Sequence, residues 1–261
     1  MQSAPAVSIL KSALDRDRDL VLARASFGAL FDGYLGHAAR WGGVPAEPAR
    51  KMMLDGLAAT TLHLGLRPPN EYTAWTLHVR EPALSLFFSG DNQSYQVTGR
   101  VYSEGVRRCE RSRLYLESQR SQREPSRSMV EVDGASVLEC FEQFYLKSEQ
   151  IPSRLFAMGD GVYFFIQGLP SVDRGWLHKL DREAVLRIAE GSGLEEVEQR
   201  RYTFGCQCDQ SKILQIVRGI FARDPEALFQ GEERVQAACP RCGRGYWIGR
   251  DEFDIGRVGV S

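Results

Sequence analysis

The chain lacks an apolar run long enough to cross a membrane as a helix. Its first residues, Met1-Gln2-Ser3-Ala4-Pro5, do not show the basic-then-apolar order of a secretory signal. It also lacks charge of one sign: the net charge is −1, so no global field draws it toward nucleic acid or anionic lipid. Histidine is scarce. The four present (His37, His63, His78 and His178) stand in no triad or metal-ligand spacing, and each reads as a surface or packed residue. Gly159-Asp160-Gly161 is a turn signal too short for a phosphate cradle, and Ser148-Glu149-Gln150 reads as a helix end, not a nucleophile. No internal repeat is evident. What remains is 261 residues, 43% of them hydrophobic, enough for one large domain with a sizeable core and one small domain.

What is present is cysteine in a pattern. Six cysteines without a visible export signal are expected as reduced thiols in the cytoplasm. There, close pairs read as metal ligands or redox devices. Cys206-Gln207-Cys208 is followed by thirty residues and then Cys239-Pro240-Arg241-Cys242. Two such pairs can fold back to set four sulfurs at the corners of a tetrahedron, the geometry of a closed Zn²⁺ site. Gly243 follows the second pair and relaxes its bend. The C-x-C spacing is shorter than that of most zinc ribbons and crowds its sulfurs. Thiolates are also the species that oxidants attack. A sulfenic acid captured by its neighbour would give Cys206–Cys208 and Cys239–Cys242 disulfides, which no longer ligate as thiolates. A structural zinc, a redox-labile zinc and a metal-free dithiol all remain open on residue types alone. Arg201, Arg241, Arg244 and Arg250 are available to offset site charge. Cys109 and Cys140 lack close partners in sequence and read as core thiols.

Along the chain, residues 8–40 read as helix, and a second helix starts near Pro48 with Met52, Met53, Leu57, Ala58 and Leu62 as its buried stripe. After the turn at Arg67-Pro68-Pro69-Asn70 the period becomes two, and turn-punctuated runs from Tyr72 to Val101 predict an antiparallel sheet. Residues 100–127 hold eight arginines against four glutamates, a solvated face or a polyanion or client contact. Val137–Tyr145 predicts a helix and Val162–Ile166 a strand. Residues 171–199 read as a partly helical linker. In the last unit Ile213, Val217, Ile220 and Phe221 share a helical face, Asp224-Pro225 restarts a helix, and Tyr246-Trp247-Ile248 returns as a strand. So small a unit generally needs a staple.

The cysteine pattern resembles that of the redox-regulated heat-shock protein 33 chaperone family. Tyr202-Thr203-Phe204-Gly205-Cys206-Gln207-Cys208 is similar to the family's entry to its zinc domain, and Cys242-Gly243-Arg244-Gly245-Tyr246-Trp247-Ile248 to its exit. Ser148-Glu149-Gln150-Ile151-Pro152 is similar to the family's S-E-Q-[IL]-P segment, and Gly56-Leu57-Ala58-Ala59-Thr60 also fits its layout. The linker departs from the family in being shorter and less charged. The resemblance implies an ATP-independent holdase, not an enzyme, inactive while reduced and zinc-bound. Oxidation of Cys206, Cys208, Cys239 and Cys242 would expel one Zn²⁺ and unfold the C-terminal domain, exposing surface for unfolding clients, often with dimerisation. A membrane is not expected as a partner. A nucleic-acid-binding zinc protein is the competing reading, with near-zero charge and no base-stacking motif against it; a zinc-stapled interaction protein without a switch is another. The expected fold is α+β. An N-terminal domain over 1–170 would pack helices on an antiparallel sheet, 171–201 would link, and 202–261 would bind zinc.

Overall fold

The computed structural model describes residues 7–120 and 123–256. The chain opens with β1 (Ser8–Asp15) and β2 (Leu20–Ser26), then α1 (Gly28–Trp41) and α2 (Ala49–Gly65). The strands β3 (Glu71–Val79), β4 (Leu84–Asp91) and β5 (Gln96–Tyr102) then form a meander, and β6 (Ser112–Arg120) and β7 (Ser126–Val132) add on the other side of β3. Next come α3 (Val137–Phe144), a π-helical turn at Tyr145–Glu149, and the hairpin β8 (Ser153–Gly159) and β9 (Val162–Gly168). Short helices α4 (Arg174–His178) and α5 (Arg182–Glu190) lead into β10 (Leu194–Phe204). The C-terminal unit holds α6 (Gln210–Phe221), α7 (Pro225–Phe229), β11 (Arg234–Ala238), β12 (Gly245–Gly249) and a 3₁₀ segment.

The fold is α+β, built on one ten-stranded sheet in the order β7-β6-β3-β4-β5-β10-β1-β2-β9-β8. Two antiparallel five-stranded halves meet where β10 runs parallel to β5, over only Thr203–Gln96 and Phe204–Val97. The remaining two strands, β11 and β12, pair antiparallel in the C-terminal unit.

Residues 8–26 are strands, not the first part of a helix. β1 alternates between buried Ser8, Leu10 and Ser12 and more exposed neighbours, whereas Leu22 and Ala23 of β2 are successive and both buried. A strand covered on both faces loses its period-two signature, and its small apolar residues then mimic helical spacing. The tight turn between the strands is closed by Asp15, whose Oδ1 accepts from the Arg18 N–H at 3.1 Å. The linker stretch is helical only as far as Glu190. Leu194–Phe204 then pairs with β1 in the middle of the sheet.

α2 lies at the centre of the main core, buried at nearly every position from Met53 to Gly65, so it is apolar all round and not merely along one stripe. Gly56 lets it approach β4: a Cβ there would sit 2.1 Å from the Phe88 ring. Its buried Asp55 is satisfied by the Tyr163 hydroxyl at 2.8 Å and Lys51 at 2.6 Å. Aromatic packing of Trp75 on Phe141 (4.5 Å between centroids) ties α3 to the same core. A second core, with Leu177, Leu180, Val185 and Ile188 on Leu20, Leu22, Phe164 and Ile166, places α4 and α5 over the β2-β9-β8 side. Among the described residues no helix is long and apolar enough to cross a membrane.

Candidate metal centre

Each half of the centre is positioned by its own local rule. β10 delivers Cys206 and Cys208 just beyond its last residue, and Gly205 N–H bonds the Val97 carbonyl at 3.0 Å to anchor that exit. Asp209 then caps α6 by accepting from the Lys212 N–H at 2.8 Å. The second half is a knuckle closed by Cys239 N–H to Arg244 O and Gly243 N–H to Cys239 O, both at 2.8 Å. Gly243 has φ +82°, a left-handed conformation that favours glycine. The β11–β12 hairpin carries the knuckle at its tip, with Val235 opposite Ile248 and Ala237 opposite Tyr246. As expected, Asp224 caps α7, accepting from Glu226 and Ala227 N–H at 3.0 Å. Ile213, Val217 and Phe229 are buried in the unit's core. Ile220, expected on the same face, instead points to solvent at 50% exposure.

All four sulfurs converge within 4.8 Å of one another. Cys206 Sγ lies 4.0 Å from Cys239 Sγ, and Cys208 Sγ lies 3.6 Å from Cys242 Sγ. A tetrahedron with metal–sulfur bonds of about 2.3 Å has edges of roughly 3.8 Å, so these separations suit a four-thiolate cation site. Such a cluster could hold a metal ion. Cys239 and Cys242 are buried, whereas Cys206 and Cys208 are half-buried. Crowding divides the thiols' acidity. Cys206 is pushed up to about 12, chiefly by its hydrogen bond to Cys239, with burial adding to the shift. Cys239 is held down by hydrogen bonds from Cys206 and Cys242, and Cys242 is pushed up by Cys206 and Cys239. Cys206 and Cys242 therefore resist ionising beside Cys239 until a cation offsets the repulsion. Tyr246 braces the first pair, donating from its hydroxyl to the Cys208 carbonyl (2.9 Å) and sulfur (3.2 Å).

The knuckle is also seated on the main sheet. Its outward carbonyls accept hydrogen bonds from three groups of the N-terminal region: Arg100 Nη1 to Cys239 O at 3.1 Å, the Tyr102 hydroxyl to Pro240 O, and His37 Nε2 to Cys242 O at 2.9 Å. In return Arg241 donates to Ser89 Oγ at 3.0 Å and stacks over the Tyr72 ring. Arg244 faces the Trp41 and Tyr246 rings, and Arg250 pairs with Glu226 at 2.7 Å. These three arginines thus have partners in the sheet, in aromatic rings and in a carboxylate. Arg100, Tyr102 and His37 carry no motif in the sequence, since their role depends on a contact some 140 to 205 residues away along the chain. Cys140 is buried, with its thiol pushed up to about 11 by that burial, which suits an inert core residue. Cys109 is half-buried.

The family model described as Hsp33 protein matches residues 78–249, two thirds of the chain and both cysteine pairs. The chain belongs to the Hsp33 family. The 33 kDa chaperonin of Nitrosococcus oceani is 24% identical over 166 residues, covering 54% of this chain and 56% of the relative. That of Shewanella loihica is 26% identical over 148 residues, covering 49% and 51%. The chain thus spans about half the length of the curated relatives it matches. A solved structure of the 33 kDa chaperonin (heat shock protein 33 homolog) of Thermotoga maritima superposes with a TM-score of 0.70 at 15% identity, covering 96% of this chain and 97% of that one. This fold therefore extends over the N-terminal strands, beyond the segment that the family model matches.

Proposed function

We propose that the chain is a redox-regulated, ATP-independent holdase of the cytoplasm, with Cys206, Cys208, Cys239 and Cys242 as the ligands of one Zn²⁺ and as its switch. The observation that carries this reading is the convergence of the four sulfurs at tetrahedral spacing inside a unit with little other core. Bound Zn²⁺ would supply the positive charge that lets four thiolates coexist. The chain's own groups do the rest. Tyr246 steadies Cys208, and Arg100, Tyr102 and His37 hold the knuckle carbonyls against the sheet. A peroxide or hypochlorite takes two electrons from a thiolate to leave a sulfenic acid; a second thiolate displaces hydroxide and forms the disulfide. The half-buried Cys206–Cys208 pair is the more accessible to oxidant. With its ligands oxidised the unit loses its staple and unfolds, which frees the surface on which the knuckle rests. In this scheme residues 1–170 form the client-binding core, 171–201 the coupling segment and 202–261 the switch, with unfolding proteins as partners and dimerisation on oxidation.

The test is light scattering from a heat-unfolding client protein, with the reduced zinc-loaded chain compared with the same chain after hypochlorous acid. Suppression of aggregation only after oxidation is expected. Equal suppression in both states would make the metal a staple without a switch, and none in either would remove the holdase.

A further inference from the structure

The two cysteine pairs are shielded differently. Cys239 and Cys242 are buried, and their sulfurs accept from backbone N–H groups of the knuckle: those of Arg241 and Cys242 for Cys239, and that of Arg244 for Cys242. Cys206 and Cys208 are half-buried, where an oxidant can reach them. Cys208 has a guard of another kind. The Tyr246 hydroxyl lies 3.2 Å from its Sγ and 2.9 Å from its carbonyl oxygen, so one proton is shared between two acceptors of the same residue. Among the described residues Tyr246 is the one side chain outside the four cysteines that hydrogen-bonds a sulfur of the cluster.

The fold of the unit fixes this hydroxyl. Tyr246 stands on β12 opposite Ala237, next to the Ala238–Gly245 pair from which the knuckle springs. The Arg244 guanidinium lies 5.9 Å from the centre of its ring, and a positive charge at that distance makes a phenol the better proton donor. What the bond does follows from the electrons that oxidation uses. When a thiolate attacks a peroxide, a sulfur lone pair bonds one oxygen, the O–O bond breaks, and the other oxygen leaves as hydroxide. At Cys208 the product is a sulfenic acid. The Cys206 thiolate then attacks that sulfur, expels a second hydroxide and closes the disulfide. A donor resting on Cys208 Sγ withdraws density from the lone pairs that begin this sequence, and a less electron-rich sulfur attacks more slowly. Exposure and hydrogen bonding thus act on Cys208 in opposite directions.

We propose that Tyr246 is a positioning residue that sets the oxidant level at which the switch responds, its hydroxyl restraining Cys208 from attack on peroxide. This rests on the redox reading above and adds the regulation of its exposed pair.

The experiment follows metal release from the full, reduced, zinc-loaded chain with a chromogenic chelator, with and without hydrogen peroxide, and compares Tyr246→Phe. The variant keeps the ring and loses only the hydroxyl. Its peroxide-dependent rate is expected to rise about threefold to tenfold, the worth of one hydrogen bond, while release to chelator alone changes less. With Co²⁺ in place of zinc, the sulfur-to-metal charge-transfer band should move to longer wavelength, because a thiolate without the donor gives up its electrons more readily. A merely structural tyrosine would instead speed release equally with and without peroxide and leave the band in place. That result, or an unchanged peroxide-dependent rate, overturns the proposal and leaves the switch standing. Should Tyr246→Phe fail to hold metal, protonated 3-fluorotyrosine at the same position keeps the size and strengthens the donor. Peroxide-dependent release should then slow and the band move to shorter wavelength; the absence of both overturns the proposal. Metal retained against peroxide by the unmutated chain and by Tyr246→Phe alike overturns the redox reading and the restraint together.

Discussion

The main cluster under the ten-stranded sheet contains thirty-two buried side chains among the described residues, whereas the C-terminal unit has seven, two of which are Cys239 and Cys242. The large region spreads its stability over many contacts. The small one spends two of its best-buried positions on sulfurs that, without a cation, repel or compete for protons. A core this thin generally needs a cross-link to persist, and under the proposed function the four-cysteine cluster would supply it. The contrast separates a scaffold held by area from a small unit whose core is partly sulfur.

The largest effect that would break this contrast is metal removal. Chelation, or Cys239→Ser, is expected to abolish amide protection throughout residues 206–253 while the main sheet keeps its own. Structural zinc contributes on the order of 10–16 kcal/mol in small units. Loss of protection in both regions together would show that the unit and scaffold fold as one. Next comes Phe165→Ala, which empties a fully buried site in the main core. It should cost about 3–5 kcal/mol in denaturant unfolding and leave the affinity for metal unchanged. Arg100→Ala removes a bond between the two regions. A loss of about 1 kcal/mol should then appear as faster proteolysis at the knuckle, with the main melting transition unmoved.

The gentlest test is acidification. His63 is fully buried with its Nδ1 on the Tyr145 hydroxyl at 2.5 Å, and burial, followed by Arg67 and Arg120, holds its imidazole well below its usual value. A base kept neutral in the folded state and charged in the unfolded one stabilises the fold above the unfolded value, roughly 6.5. That contribution is lost as pH falls below it. The slope of main-domain stability below that pH should flatten in His63→Gln; an unchanged slope would assign the titration to another group.

Much of this was legible from side chains whose role is local. The four cysteines, the Asp224 cap, the Tyr246–Ile248 strand and the meander from Tyr72 onward follow from spacing and turn chemistry alone. Other features depend on partners distant in the chain. β2 is hidden because it is buried on both faces, and residues 194–201 of β10 read as linker because their acidic, exposed side chains, with Val197 among them at 65% exposure, carry no apolar alternation. Arg200 shows why it is a strand: its guanidinium reaches the Leu64 and Arg67 carbonyls at 2.8 Å, at the end of α2. No local rule places His37 or Arg100 beside the knuckle; the sheet does.

The position of β10 also sets an order of events during synthesis. The inner edge of β1 finds its partner only in β10, with Lys11 meeting Glu196 across 185 residues of chain. At about 5–20 residues per second the ribosome needs tens of seconds to deliver it, and until then the two halves of the sheet have no seam. The cysteines follow directly behind that strand. The growing chain therefore completes the platform first, and the cysteine knuckle emerges onto a surface already built to receive it.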